Sequence, residues 1–308
     1  MPSGIFGSAR LGAAVLSGAL ALSACGSGAG AESSTVDVVA SFYPLAYVAE
    51  QVGGGHVAVT NLTQPGIEPH DLQLKPRQIG EVHDADLVVF ESGFQAAVDD
   101  AVTQADLSAQ RRVDAAEVVK LSGAIEQGRS QGGEIGLDPH IWLDPQNMVS
   151  ITKAVRDHLI EVDKTHSEDY RRNAHRLIGE LERLDRQFTN GLEQCETRAI
   201  VTSHAAFGYL ADAYNLEQIP IAGIDPSTEP SAEQLAEITQ TVRSAGLTTI
   251  FTEELASAKV AQTIAAETGA TTATLSPIEG LTERTENETY LTLMRQNLEA
   301  IRTANGCS

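Results

Sequence analysis

From Val36 onward the chain alternates short apolar runs with longer segments whose apolar residues recur at helical spacing. Val36–Ser41, Val57–Leu62, Leu87–Glu91 and Val118–Leu121 are short and rich in β-branched residues, which predicts four strands. Pro44 suits the first turn of a helix, where its missing N–H is not needed, and opens a helix over Leu45–Val52 that Gly53, Gly54 and Gly55 close. Near Ser167 the pattern changes. Tyr170, Ala174, Leu177, Leu181, Leu184 and Phe188 recur at spacings of three and four among Arg and Glu residues, predicting one long amphipathic helix over Ser167–Leu192 with no neighbouring strand. The alternation then restarts, with strands expected at Ala199–Ser203, Ile219–Ile224, Thr249–Glu253 and Ala273–Leu275. Ser231 and Gln234 form a capping box for a helix running to Ser244. Alternation on both sides of the long helix predicts an α/β protein of two similar lobes, each a parallel sheet covered by helices, with that helix as connector.

The residues before Val36 are of another kind. A single Arg10 precedes an apolar, small-residue run from Leu11 to Leu22, short for a spanning helix and in keeping with a secretion signal. Its ending, Leu22-Ser23-Ala24-Cys25, resembles a bacterial lipobox, which implies cleavage before Cys25 and lipid on that cysteine. Ordinary secretory cleavage would instead leave Cys25 as an exposed thiol, a liability outside the cell. The following Gly, Ser and Ala residues have the composition of a flexible tether. The expected organisation is a signal peptide over 1–24, a lipid-anchor linker over 25–35, an N-terminal lobe over 36–166, the linking helix over 167–192 and a C-terminal lobe over 193–308. Such a chain resides outside the cytoplasm, held to the membrane by its lipid. With Cys25 so assigned, Cys195 and Cys307 remain. In an oxidising compartment the two are expected to pair and tie the C-terminal tail to the last lobe.

Composition narrows the partners. The chain has 21 basic against 42 acidic residues, a formal net charge of -21. A field of that sign repels nucleic acid and anionic lipid and favours cationic solutes, although most of these carboxylates belong to a solvated surface.

Four residues stand at equivalent places in this pattern. His70 lies in Glu-Pro-His-Asp, His140 in Asp-Pro-His-Ile-Trp, His204 in Thr-Ser-His and Glu279 in Pro-Ile-Glu-Gly. His70, His204 and Glu279 follow the carboxyl ends of expected strands, where open α/β sheets place their ligand crevices, and His140 lies in a loop. Two come from each half, so a site made of them lies in the cleft between lobes. Three neutral imidazoles and one carboxylate form a closed, four-coordinate set suited to Zn²⁺, with no vacancy for a reacting water. Taken singly, each histidine could equally cap a helix or satisfy a loop.

The segments carrying these residues resemble a known family. Glu-Pro-His-Asp-Leu-Gln-Leu-Lys-Pro (68–76), Asp-Pro-His-Ile-Trp-Leu-Asp-Pro (138–145), Thr-Ser-His-Ala-Ala-Phe-Gly-Tyr-Leu (202–210) and Leu-Ser-Pro-Ile-Glu-Gly-Leu (275–281) are similar to the ZnuA/TroA-like solute-binding proteins of zinc and manganese ABC importers, in the same order, over about Val36 to Ile301. The resemblance implies two α/β lobes joined by a rigid helix, metal buried between them, zinc capture outside the membrane and delivery to an ABC transporter permease by a monomeric protein. Carried over by position, His70, His140 and His204 are the histidine ligands. Manganese-type members place a carboxylate where His204 stands and an aspartate near Ile278. Here the third ligand is histidine and the fourth position resembles the zinc type, pointing to Glu279. Glu68 and a water remain alternatives for that position. One further departure bears on function: the stretch from Ser122 to Leu137 holds no histidine, unlike the His-rich acidic loop of many zinc-type members. Some relatives of the family act as surface adhesins, a rival role that the same zinc site would permit.

His56, His83, His158, His166 and His175 are expected at the surface, and Trp142 beside the site rather than on the ion. No His-Glu-x-x-His motif or Gly-x-Ser-x-Gly elbow is present, so an enzyme is not expected.

Overall fold

A computed structural model describes residues 35–119 and 137–308. The expected signal, lipid-bearing Cys25 and nearly all of the tether lie outside the described residues, as does the end of the Val118–Leu121 strand. The first half runs β1 (Val36–Ala40), α1 (Tyr43–Gly53), β2 (Val57–Asn61), α2 (Pro76–Asp84), β3 (Leu87–Phe90), α3 (Ala96–Ala105), β4 (Arg112–Asp114), α4 (Ala115–Val118) and α5 (Pro145–Val162). A 25-residue helix, α6 (Ser167–Gly191), follows. The second half runs β5 (Ala199–Thr202), α7 (Gly208–Tyr214), β6 (Glu217–Pro220), α8 (Ala232–Ser244), β7 (Thr249–Thr252), α9 (Lys259–Thr268), β8 (Thr271–Thr274) and α10 (Tyr290–Ala304).

The two sheets share one plan. Their strand orders are β2-β1-β3-β4 and β6-β5-β7-β8, with parallel pairing throughout. Parallel sheets need helices on both faces, and the side chains of the central strands divide accordingly. Val38, Ala40, Leu87 and Val89 join the main core, whereas Val39, Val88 and Phe90 point to a second cluster with Leu62, Val82 and Val98. In the second sheet Ile200 and Phe251 face the main core, while Val201 and Ile250 join Val242 and Ile264 on the far side.

The main core passes through both halves because α6 runs through it. Tyr170, Ala174, Leu177, Leu181, Leu184 and Phe188 are all fully buried along one stripe of that helix. About 37 Å long at 1.5 Å per residue, α6 packs on α1 and α5 of the first half and on α10 of the second.

Three strands differ from the sequence reading. The fourth strand of the first sheet is Arg112–Asp114, with Val113 opposite Val89, and Val118 ends α4. Asp114 decides this, because its carboxylate accepts from the Ala116 N–H at 3.0 Å and starts a helix where the apolar run begins. Strand β6 is Glu217–Pro220 instead of Ile219–Ile224. At this sheet edge exposed Glu217 is tolerated, and beyond Pro220 the chain leaves the strand, with the Ala222 N–H donating to the Ser203 carbonyl at 2.9 Å and the Gly223 carbonyl accepting from the Ala205 N–H at 3.0 Å. β8 begins at Thr271, its β-branched threonines standing on an exposed sheet edge.

Candidate metal centre

Each of the four residues is delivered by a turn whose chemistry is local. His70 sits in a short 3₁₀ turn (Pro69–Asp71) after β2, opened by Glu68, whose carboxylate accepts from the His70 N–H at 3.4 Å. Asp138 does the same for His140, accepting from its N–H at 2.9 Å. His204 follows β5 directly, and its carbonyl accepts from the Thr202 hydroxyl at 2.7 Å and the Gln218 amide at 3.0 Å.

Glu279 stands on a more constrained loop. Its neighbour Ile278 is fully buried with φ at 56°, a left-handed conformation that costs a β-branched residue on the order of 1–3 kcal/mol. Asn297 of α10 holds the loop by donating to the Ser276 carbonyl at 2.7 Å and accepting from the Ser276 N–H at 2.8 Å.

These turns bring four ligand atoms to one point. One atom from each of His70, His140, His204 and Glu279 lies within 4.8 Å of every other, the one such grouping among the described residues. Glu279 Oε1 is 3.2 Å from His140 Nε2, 3.3 Å from His204 Nε2 and 3.6 Å from His70 Nε2. The two buried imidazoles approach at 3.3 Å between Nε2 atoms. Ligands 2.0–2.2 Å from a tetrahedral centre are separated by about 3.3–3.6 Å, so these four separations match edges of a zinc-sized tetrahedron. Glu279 Oε1 and His70 Nε2, both shielded, make no hydrogen bond in the protein. A divalent cation fits this donor set.

The imidazoles are oriented from behind. His140 Nδ1 lies 2.8 Å from Asp138 Oδ1, and His204 Nδ1 lies 2.8 Å from both oxygens of Glu253, the residue after β7. A carboxylate there accepts the Nδ1 proton, so Nε2, the inward nitrogen, is the one whose lone pair a metal takes when it displaces the second proton. His70 has Phe94 edge-on at 4.8 Å instead. Its side chain keeps 9% exposure against 1% or less for the other three, so the site opens to solvent at His70.

Charge at the centre is balanced internally. Burial works against the Glu279 carboxylate, but the converging imidazoles of His140, His204 and His70 hold it well below the usual range. Burial likewise works against a charged His204, yet Glu253 and Glu279 push it up to about 10, and Asp138 and Glu279 raise His140. Glu68 does not join the four. Burial, and then the nearby Glu279 carboxylate, push it up to about 8, so at neutral pH it is a neutral acid beside Glu279.

The remaining histidines stay outside the site. His83 and His175 are exposed, His56 and His166 pair with Asp169 and Asp163, and His158 Nδ1 meets the Ala154 carbonyl at 2.9 Å. Trp142 packs 5.2 Å from the His140 ring, centre to centre. Cys195 and Cys307 form a disulfide. Sequence patterns do not single out Glu253. Its one signal is an acidic residue ending the strand beside the one that delivers His204.

The profile of the family described as zinc-uptake complex component A, periplasmic (ZnuA), matches residues 38–304. The chain belongs to this family. Among curated ZnuA-type relatives, the zinc-binding lipoprotein AdcA of Streptococcus pneumoniae is 34% identical over 276 residues, covering 87% of this chain and 55% of AdcA. The chain thus spans about half the length of the AdcA proteins it matches. The high-affinity zinc uptake system protein ZnuA of Bacillus subtilis is 32% identical over 297 residues, covering 92% and 93% of the two chains. The solved structure of the Zn(II)-bound ZnuA-like domain of S. pneumoniae AdcA superposes with a TM-score of 0.73 at 32% identity, over 88% of this chain and 99% of that one. Two lobes on a long helix are therefore the ZnuA arrangement.

Proposed function

We propose that the protein captures Zn²⁺ outside the cytoplasmic membrane and hands it to the permease of an ABC importer, with His70, His140, His204 and Glu279 as the ligands. The observation that carries this reading is the set of distances around Glu279 Oε1, which match the edges of a tetrahedron sized for zinc. The zinc-uptake family and the zinc-binding names of its relatives support it. Zinc is cargo here. Four protein ligands fill a tetrahedral shell and leave no position for a nucleophilic water, which favours binding over catalysis. Nitrogen-rich ligation favours zinc over manganese, which prefers oxygen donors. Cys25 carries the lipid that keeps the protein at the membrane, and the protein works as a monomer.

Metal titration of the metal-depleted protein against a chelating indicator tests this. Tight one-to-one zinc binding that is lost in His140→Ala is expected. Manganese bound more tightly than zinc, or zinc binding indifferent to His140, would overturn the assignment.

A further inference from the structure

The loop that carries Glu279 is tied to the first lobe on both sides of the ligand. Two residues before Glu279, the Pro277 carbonyl accepts from the Trp142 indole N–H at 2.7 Å, a bond buried from solvent. Two residues after it, the Leu281 carbonyl accepts from the Gly66 N–H at 2.7 Å. Each donor belongs to a segment that bears a histidine: Trp142 lies two residues after His140, and Gly66 four before His70. Trp142 is itself held, since the Tyr290 hydroxyl of α10 donates to its carbonyl at 2.6 Å. Its ring is wedged between Phe42, at 4.7 Å, and the His140 imidazole, at 5.2 Å. Between the two ties stands Ile278, in the left-handed region that its branched side chain disfavours.

Strain of this kind persists only where the surroundings impose it. Here part of the surroundings is the loop's own lobe, with the Ser276 hydroxyl accepting from the Ile278 N–H at 3.3 Å and Asn297 holding Ser276, and part comes from the opposite lobe through Trp142 and Gly66. We infer that Trp142 is a positioning residue for zinc retention: its bond to Pro277 holds Ile278 in the left-handed conformation and keeps Glu279 on the metal, so breaking that bond lets the loop relax and the fourth ligand withdraw. The inference rests on the reading of the four residues as zinc ligands. It places the release-controlling contact outside the ligand set, on a bond that separation of the Trp142 and Pro277 loops must break.

The test is the rate at which the zinc-loaded protein gives up its metal to excess chelator. Trp142→Phe keeps an aromatic ring in the pocket and removes the N–H; it is expected to speed release about tenfold, the upper range for one buried neutral hydrogen bond. In an Ile278→Gly background the left-handed conformation is no longer disfavoured, so the same substitution is expected to speed release less than about threefold. Tyr290→Phe, which loosens Trp142 without touching its ring, is expected to act in the same direction by about threefold and serves where Trp142→Phe does not fold. Release unchanged in both Trp142→Phe and Tyr290→Phe overturns the inference. Equal acceleration with and without the Ile278→Gly change also overturns it, because Trp142 would then act through general packing. Tight zinc binding by the unmodified protein with unchanged release in the variants sinks the inference alone, whereas weak zinc binding by the unmodified protein takes down the site reading and the inference together.

Discussion

Glu253 presents both carboxylate oxygens to one nitrogen of His204, each 2.8 Å from Nδ1, and neither side chain is exposed by more than 3%. The pair fixes the ring's orientation and its tautomer at once, because only Nε2 is left to face Glu279.

Removing that support is expected to weaken zinc binding without removing a ligand. Glu253→Ala should lower zinc affinity by about 10–100-fold, the usual consequence of losing a partner behind a metal-bound imidazole. Competition titration of the variant checks this, and an affinity equal to that of the unmodified protein would count against the role.

Glu68 and Glu279 are separated by a second pair of substitutions. Glu68 is pushed up to about 8 by burial and by Glu279, so glutamine there mimics the neutral acid present at neutral pH. Glu68→Gln is expected to hold zinc within about threefold of the unmodified protein, whereas Glu279→Gln removes a charged ligand and should cost on the order of a hundredfold or more. The reverse ranking would make Glu68 the fourth ligand.

Protons and zinc compete for the same nitrogens. Despite burial, Glu253 and Glu279 push His204 up to about 10, so its imidazole holds a proton in the metal-free protein across the neutral range, and Asp138 and Glu279 raise His140 in the same direction. Zinc must displace such protons, and affinity should fall about tenfold per unit of acidification for each proton displaced. Calorimetry in buffers of different ionisation enthalpy would count those protons. A zinc affinity at about pH 5 equal to that at neutrality would contradict the scheme.

Metal-free stability should follow the same groups. A His204 value of about 10 against 6.5 unfolded gives a contribution fully present below about 6.5 and lost as pH rises through about 10. Glu68, at about 8 against 4.5, acts in the same direction from lower pH. The metal-free melting temperature is therefore expected to decline from about pH 6 to about pH 10, with the zinc-loaded protein showing the smaller change.

The Cys195–Cys307 disulfide closes a loop of 112 residues. Replacing both cysteines with serine is expected to destabilise the protein by about 2–5 kcal/mol, read from denaturant unfolding. A change below about 0.5 kcal/mol would mean that the backbone bonds at the tail, Glu196 N–H to Asn305 and Ser308 N–H to Gln194, already fix it.

The parts of this fold that are legible in the sequence are those where one period dominates. The stripe from Tyr170 to Phe188 and the runs at β1, β3 and β7 repeat a pattern that burial alone dictates, and the structure places them with bounds shifted by a residue or so. β4 escapes such a reading because Arg112-Val113-Asp114 offers a single apolar residue, and only pairing with β3 makes it a strand. At the site, the four converging residues are visible as short motifs. Their supports are not equally so. Asp138 lies two residues from its histidine, a local relationship, whereas Glu253 reaches His204 across 49 residues and Trp142 reaches Pro277 across 135. Contacts of that range are fixed by sheet order and lobe packing, which no local pattern encodes.

Trp142 is the sole tryptophan of the chain, fully enclosed and in ring contact with His140. All indole fluorescence therefore originates within one imidazole's width of the metal centre. The molecule thus carries its own optical probe of the site, one that needs no label and reads a single environment, where added dyes would disturb the equilibrium being measured.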